Sequence, residues 1–216
     1  MEEKKQNEPL SSWSHFIGAG LSIAGLVLLI VFASIYAKAQ HVVGVSIFGA
    51  SLILLYLASG VYHWIAVTSH RKVIWRKIDH AMIYVLIAGT YTPICLVVPQ
   101  RGWGWSAFGV IWGLAIAGVL LKIKLSTFPK VLSPIIYLLM GWIILIFYPM
   151  LSNIPVMGLV WLFLGGVSYS LGVIFYGLDK KLPRGRWWGM HEIFHLFVMF
   201  GSFAHWWFIF KYLIYI

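Results

Sequence analysis

Residues 16–36 read FIGAGLSIAGLVLLIVFASIY and contain no charged side chain. A run of this kind has about the 20 residues that an α-helix needs to cross a bilayer. The apolar core of a secretory signal peptide is shorter, about 7–15 residues, and it ends at a small-residue cleavage site. No clear site of that kind precedes Lys38, so the run is predicted to be a membrane-spanning helix.

The rest of the chain repeats this pattern. Seven apolar runs, each long enough to span a bilayer, cover residues 14–36, 42–65, 78–98, 103–121, 131–150, 155–177 and 189–210. They lack the period-two alternation of membrane β-barrel strands, so each is predicted to be an α-helix. Hydrophobic residues make up 61% of the chain, more than a soluble domain could keep from water. The predicted fold is an all-α bundle of seven transmembrane helices over residues 14–216, after a polar, disordered tail at residues 1–13.

Lysine and arginine are divided unequally between the two sides of this predicted bundle. Of the 16 such residues, 13 lie in the N-terminal tail and in the loops on its side, and 3 lie on the other side. Short loops rich in Lys and Arg remain in the cytoplasm. The predicted location is therefore the cytoplasmic membrane, with the N-terminus in the cytoplasm and the C-terminus outside. Because the basic residues form short clusters between apolar runs, the net charge of +10 does not predict nucleic-acid binding.

Ionisable side chains inside the spans are the candidates for function, because placing them within a membrane is unfavourable. His63 lies near the end of the second run, Asp79 near the start of the third, and His191 and His195 near the start of the seventh. In the predicted topology all four lie roughly 3–14 Å from the nearest basic loop residue, by helical rise. Three helices are thus predicted to place polar groups in one layer of the inner leaflet.

The spacing of these residues predicts a metal site. His191 and His195 are four residues apart, so both imidazoles project from one helix face and can bind one ion, with His63 as a third ligand. Three protein ligands with an open fourth position are typical of catalytic zinc, which acidifies a bound water. Imidazole also suits copper, nickel and iron, so zinc is inferred from its availability and the lack of redox partners. Asp79 is predicted to hold that water or to accept its proton. Ser59, one turn before His63, is predicted to hydrogen-bond the water or a substrate carbonyl.

Three other histidines have a simpler interpretation. A lone histidine inside a membrane usually makes a hydrogen bond between helices, and this interpretation is preferred for His15, His80 and His205. His205 lies roughly 15 Å beyond His195 along the helix, too far to bind the same ion. His80 is turned about 100° from Asp79 around the helix and need not face the site.

The sequence His191-Glu192-Ile193-Phe194-His195 also matches the H-E-x-x-H motif of zinc proteases, in which the glutamate is the general base. A match at a single glutamate is frequent by chance, and Asp79 offers a base at the appropriate depth. Glu192 is also close enough to Arg186 in sequence to pair with a cation near the interface. An intramembrane metalloprotease is therefore a weaker alternative.

Taken together, Ser59-x-x-x-His63, Asp79 and His191-x-x-x-His195 resemble the hemolysin III family of the progestin and adipoQ receptor superfamily. The sequence HEIFHLFVMFG, which begins at His191, is similar to the family's last-helix signature. The resemblance implies seven spans, a zinc ion on His63, His191 and His195, and a water held by Asp79. It also implies links to ceramidase activity, that is, hydrolysis of a lipid amide, and to haemolysis and membrane homeostasis. The long N-terminal domain of the receptors is missing, so receptor-type ligand recognition is not expected.

Two classes of function are compatible with these residues. The first is a zinc-dependent hydrolase whose partners are membrane lipids and whose substrate is a lipid amide that enters from the leaflet. The second is a non-enzymatic sensor or homeostasis protein, or a haemolysin, in which zinc fixes three helices together. Direct pore formation is not expected, because the sequence has no amphipathic hairpin for insertion. The fourth coordination position of the metal distinguishes the two classes. A structural site would fill it with a protein ligand, whereas a catalytic site leaves it open for water.

Overall fold

The computed structural model describes residues 9–124, 132–179 and 188–216. Within these ranges the chain is helical and has no β-strand, which confirms the predicted all-α class. Seven α-helices follow one another: α1 (Pro9–Tyr36), α2 (Ala39–Trp64), α3 (Arg71–Val97), α4 (Arg101–Lys124), α5 (Leu132–Trp142), α6 (Val156–Leu178) and α7 (Met190–Lys211). Short 3-10 helices occupy Ile143–Leu145, Tyr148–Leu151 and Leu213–Tyr215.

Six of the described helices, all except α5, are long and apolar enough to cross a membrane. Their outer faces carry large apolar side chains, such as Leu21, Leu139 of the shorter α5 and Val156, which are 63%, 65% and 75% exposed. The interior contains an apolar core and, within it, many serine and histidine side chains. Apolar outer faces and polar groups kept inside suit a bundle whose solvent is lipid. The chain is therefore a multi-pass membrane protein, while seven spans and the cytoplasmic N-terminus remain predictions.

The fifth apolar run, expected to be helical over 131–150, is broken. Helix α5 ends at Trp142 after 11 residues, and the chain continues in two short 3-10 helices. Pro149 explains part of the break, because proline cannot donate the helical hydrogen bond to residue 145 and clashes with its carbonyl. Tyr91 of α3 satisfies the backbone groups at the break. Its hydroxyl donates to the Gly141 carbonyl at 2.7 Å and accepts from the Ile144 N–H at 2.8 Å.

The first helix begins earlier than expected. Residues 1–8 of the predicted tail lie outside the described residues, but residues 9–13 are already helical. Proline suits the first position of a helix, where its missing N–H has no intrahelical partner in any case. Two serines of the next turn are buried: Ser12 donates to the Gly60 carbonyl at 2.8 Å, and Ser11 donates to Glu192 at 3.0 Å. These bonds join the start of α1 to the end of α2 and the start of α7.

Helix packing brings the ends that carry the candidate residues together. Helix α2 packs between α1 and α3, α7 packs on α6, and α7 also contacts α1. A glycine permits close approach of α2 and α3: a Cβ atom at Gly44 would lie 2.8 Å from the Cα of Pro93. The end of α2 and the starts of α1, α3 and α7 therefore meet at one end of the bundle.

Candidate metal centre

Three imidazoles from two helices meet at this end of the bundle. The Nε2 atom of His191 lies 3.3 Å from Nε2 of His63 and 3.1 Å from Nε2 of His195. One ligand nitrogen from each residue falls within 4.8 Å of the other two. Two nitrogens bound at tetrahedral positions about 2.0–2.1 Å from one zinc ion are separated by about 3.3 Å. The observed separations match that value, so the cluster could hold a metal ion.

Hydrogen bonding alone does not account for the arrangement. An imidazole nitrogen either donates one hydrogen or offers one lone pair in the ring plane. Nε2 of His191 therefore cannot bond well to both neighbouring nitrogens at once. A cation shared by three lone pairs satisfies all three rings together.

Contacts behind the rings favour the tautomer that a metal requires. Nδ1 of His191 faces the Asp179 carboxylate at 4.0 Å, and the backbone N–H of His191 donates to the same carboxylate at 3.0 Å. The His195 ring hydrogen-bonds the backbone carbonyl of Ser11, and its Nδ1 lies 3.4 Å from the Ser14 hydroxyl. Metal-binding histidines usually donate their second N–H to such partners, which fixes the ring and directs the other lone pair to the metal.

The predicted carboxylate and hydroxyl lie in the same cavity wall as the histidines. Asp79 is buried on α3, and the Ser59 hydroxyl donates a hydrogen bond to its carboxylate. Ser59 is on α2, one turn before His63, so this bond ties α2 and α3 beside the cluster. The structure thus brings together all five residues that the sequence singles out, while their chemical roles remain predictions.

These residues line one large cavity of about 920 Å³ inside the bundle. One end is polar and contains the histidine cluster, Asp79 and Asp179. The wall also includes the basic side chains of Arg76, Lys77 and Lys122, and apolar side chains from α3, α5, α6 and α7, among them Leu86, Ile94 and Leu162. A cavity that combines polar groups with apolar walls suits a molecule with a polar group and a hydrocarbon chain.

The three histidines that the sequence suggests as links between helices differ from one another. His205 makes such a bond, with Nε2 3.0 Å from the Leu162 carbonyl of α6. For His15 the expectation is wrong, because neither ring nitrogen has a hydrogen-bond partner in the described part of the chain. Instead its ring stacks on His195, with centroids 3.7 Å apart and planes 10° apart. His80 lines the cavity together with Asp79, although its helical position does not require it.

Glu192, the base of the alternative protease motif, is engaged elsewhere. One carboxylate oxygen accepts from the Ser11 hydroxyl at 3.0 Å, and the other accepts from the Gly189 N–H at 2.8 Å. The side chain is 3% exposed. These bonds join α1 to the first turn of α7, which favours a structural role over that of a general base.

Two residues that contact the histidine cluster, Asp179 and His15, were not among the site residues predicted from the sequence. Asp179 lies in a loop between two predicted spans, and an acidic residue shortly before the histidine-bearing helix is a usable signal. His15 lies at the start of the first predicted span, at the same predicted depth as the cluster, so its depth is a usable signal too. Stacking on a ligand ring, however, depends on how α1 packs, which spacing in sequence does not reveal.

Comparisons with known proteins agree with this architecture. A family model described as Haemolysin-III related matches residues 3–206. The Hemolysin-3 homolog of Bacillus subtilis (strain 168) is 42% identical over 202 residues, which cover 92% of this chain and 91% of that protein. Hemolysin-3 of Bacillus cereus is 40% identical over 206 residues, covering 94% and 90%.

A more distant similarity extends to animals. The human monocyte to macrophage differentiation factor is 29% identical over 174 residues, which cover 77% of this chain and 69% of that protein. The family match includes all three residues of the histidine cluster. The extent of the match and the Bacillus similarities lead to one conclusion: this chain belongs to the hemolysin III family.

Proposed function

We propose that this protein is a zinc-dependent hydrolase that cleaves a lipid amide within the cytoplasmic membrane, at the cytoplasmic side. One observation carries the proposal. Three histidine Nε2 atoms, separated by 3.1 and 3.3 Å along the cluster, open onto a cavity of about 920 Å³ whose wall also holds a buried carboxylate. A cluster that could hold a metal ion and an apolar wall thus line the same cavity.

The donors are compatible with zinc, which is preferred for its availability and the lack of redox partners. All three are imidazole nitrogens, and no cysteine of the described residues belongs to the cluster. Three such ligands with one position left for water are typical of hydrolytic zinc, although imidazole binds several other metals. When bound, zinc would supply Lewis acidity that activates water and polarises a carbonyl.

A side chain of the protein can accept and return the proton that amide hydrolysis transfers. The Ser59 hydroxyl donates to the Asp79 carboxylate, and both side chains line the cavity. Asp79 would accept a proton from water as the water oxygen bonds to the amide carbon. It would then return that proton to nitrogen as the carbon–nitrogen bond breaks, giving a carboxylic acid and an amine.

The apolar part of the cavity supports a lipid as the substrate. Its volume lies at the upper end of the usual range for ligand sites, about 300–1,000 Å³. Apolar walls at membrane depth would take an acyl chain without exposing it to water. A lipid amide is the class that the family resemblance favours, because of its link with ceramidase activity.

A second candidate is a membrane homeostasis protein, a sensor or a haemolysin in which the metal is structural. The Bacillus relatives are named as hemolysins. The contacts of α1 favour this alternative, because His15 stacks on His195 and Ser11 bonds Glu192. A metal that joined α2 to α7 would then also stabilise the position of α1.

The substitution Asp79→Asn separates the two candidates. An amide can still accept the Ser59 hydrogen bond but cannot take up a proton. Loss of a general base costs about 10²–10⁴-fold in rate. We therefore expect the variant to keep its zinc and to lose hydrolysis of a panel of ceramides and other acyl amides in nanodiscs.

Zinc content is to be measured on the same samples as activity. The contrasting variant is Asp179→Asn, which should weaken zinc binding because its carboxylate contacts His191, a residue of the cluster. A parent protein that is inactive against the whole panel, with Asp79→Asn still supporting the cellular phenotype, would refute the hydrolase and favour the structural role.

A further inference from the structure

One end of the cavity is basic. Lys122 of α4 is only 7% exposed, and its ammonium group donates a hydrogen bond of 2.5 Å to the Ser133 hydroxyl of α5. Both side chains line the cavity, as do Arg76 and Lys77 of α3. We call these four residues the basic end. It is built from three helices, and the lysine at its centre lies inside the bundle.

Electrostatics indicate what such a group attracts. Arg76 and Lys122 line the same cavity, so their like charges oppose one another there. A buried ammonium is favourable only where acceptors or negative charge compensate for its lost hydration. Cavities lined by one sign of charge and walled by apolar groups concentrate ions of the opposite sign. An anion placed between the two cations would relieve their repulsion and add charge-assisted hydrogen bonds.

The two carboxylates in the same cavity are already engaged near the histidines. Asp79 accepts from Ser59, and Asp179 accepts from the backbone of His191. Both contacts lie beside the histidine cluster.

The basic end and the histidine cluster are neighbours. His80, one turn after Arg76 on α3, lines the cavity together with Lys122 and the histidine cluster. A single molecule can thus contact the basic end with its head, present a nearby bond to the histidines and extend its chain along the apolar wall.

We propose that the basic end binds the anionic head group of an acyl lipid, a phosphate or a carboxylate. The assignment of this lipid as the substrate rests on the proposed hydrolase function, whereas binding itself does not. It narrows the substrate class to lipid amides that carry a negative charge close to the amide, rather than neutral lipids such as ceramide itself.

Single-chain probes test the proposal directly. Purified protein in an uncharged detergent is titrated with dodecyl phosphate, dodecanoate, dodecanol and inorganic phosphate, and binding is followed by calorimetry. We expect at least one of the two anionic amphiphiles to bind about tenfold or more tightly than dodecanol, because a hydrogen-bonded charge is missing from the alcohol. The preferred anion identifies the head group as phosphate or carboxylate. Inorganic phosphate should bind more weakly than dodecyl phosphate, since it lacks the chain.

Variants locate the site. Lys122→Gln should weaken binding of the preferred amphiphile about tenfold, while Lys124→Gln, an exposed position two residues later on α4, should leave it unchanged. If Lys122→Gln does not fold, Arg76→Gln at an exposed position supplies the same comparison. Dodecanol binding as tightly as both anions, inorganic phosphate binding as tightly as dodecyl phosphate, or unchanged affinity in a folded basic-end variant would each overturn the proposal.

Failure of this proposal is distinguishable from failure of the hydrolase. Binding of the amphiphile is also measured on Asp79→Asn, which should retain it. Retained binding together with a parent that hydrolyses no amide refutes the hydrolase alone. Hydrolysis of neutral and anionic amides at equal rates, with no selective anion binding, refutes the anionic head group alone.

Discussion

The substitution Asp179→Asn tests whether the Asp179 carboxylate, which contacts His191, strengthens metal binding at the histidine cluster. Asp179 makes two contacts with one ligand residue: it accepts the backbone N–H of His191 at 3.0 Å and faces Nδ1 of the ring at 4.0 Å. Asparagine can still accept the backbone N–H through its side-chain oxygen. The substitution therefore removes the negative charge behind the ring while it preserves the bond at the start of α7.

The magnitude follows from the geometry. Loss of a carboxylate behind a metal-binding histidine usually reduces metal affinity about 10–100-fold. The Asp179 side chain is 28% exposed and its oxygen is 4.0 Å from the ring nitrogen, so water screens part of its charge. We therefore expect the lower value, about tenfold weaker zinc binding, or about 1.4 kcal/mol.

Zinc affinity is to be measured by competition with a chelator of known affinity, in detergent, with thermal unfolding followed on the same samples. Asp179→Ala removes the backbone bond as well, so it should weaken zinc further and also lower the midpoint of unfolding. Zinc affinity equal to that of the parent in both folded variants would refute the supporting role of Asp179.

Three further predictions concern the rest of the molecule. His205→Ala should keep the full zinc content by elemental analysis, while loss of the bond to the Leu162 carbonyl destabilises the protein by roughly 1–2 kcal/mol; loss of zinc would contradict the site as described. Tyr91→Phe should leave the buried Ile144 N–H unsatisfied and cost about 1–3 kcal/mol in the free energy of unfolding, with unchanged zinc; unchanged stability would contradict the role of Tyr91 at the end of α5. Reporter fusions should place a tag after Ile216 outside the cell and a tag in the loop at residues 65–70 inside, and a cytoplasmic C-terminus would refute the predicted topology.

The elements that could be predicted from the sequence are those fixed by composition and local spacing. Length and hydropathy suffice for helices that must satisfy their own backbone hydrogen bonds in lipid. The pair His191 and His195 lies on one helix face by geometry alone. His63 could be added because an inside–outside count of lysine and arginine places the end of α2 at the same depth as the start of α7.

The remaining features depend on contacts between helices. Helix α5 stops at Trp142 where the Tyr91 hydroxyl, far away in sequence, takes over backbone hydrogen bonds. The apolar run itself contains no signal for that residue, and only Pro149 indicates a break. The stack of His15 on His195 likewise depends on how the first turn of α1 is held by Ser11 and Ser12.

The central claim is that three histidines of two helices hold one zinc ion, and elemental analysis of purified protein tests it most directly. We expect about one zinc per chain in the parent, prepared without chelators, and no zinc in the double variant His191→Ala/His195→Ala. The double variant should lose its zinc because a single remaining imidazole cannot hold the ion at this site. Its folding is to be verified by circular dichroism. Stoichiometric zinc in the folded double variant, or a parent that binds none when zinc is supplied, would contradict the claim.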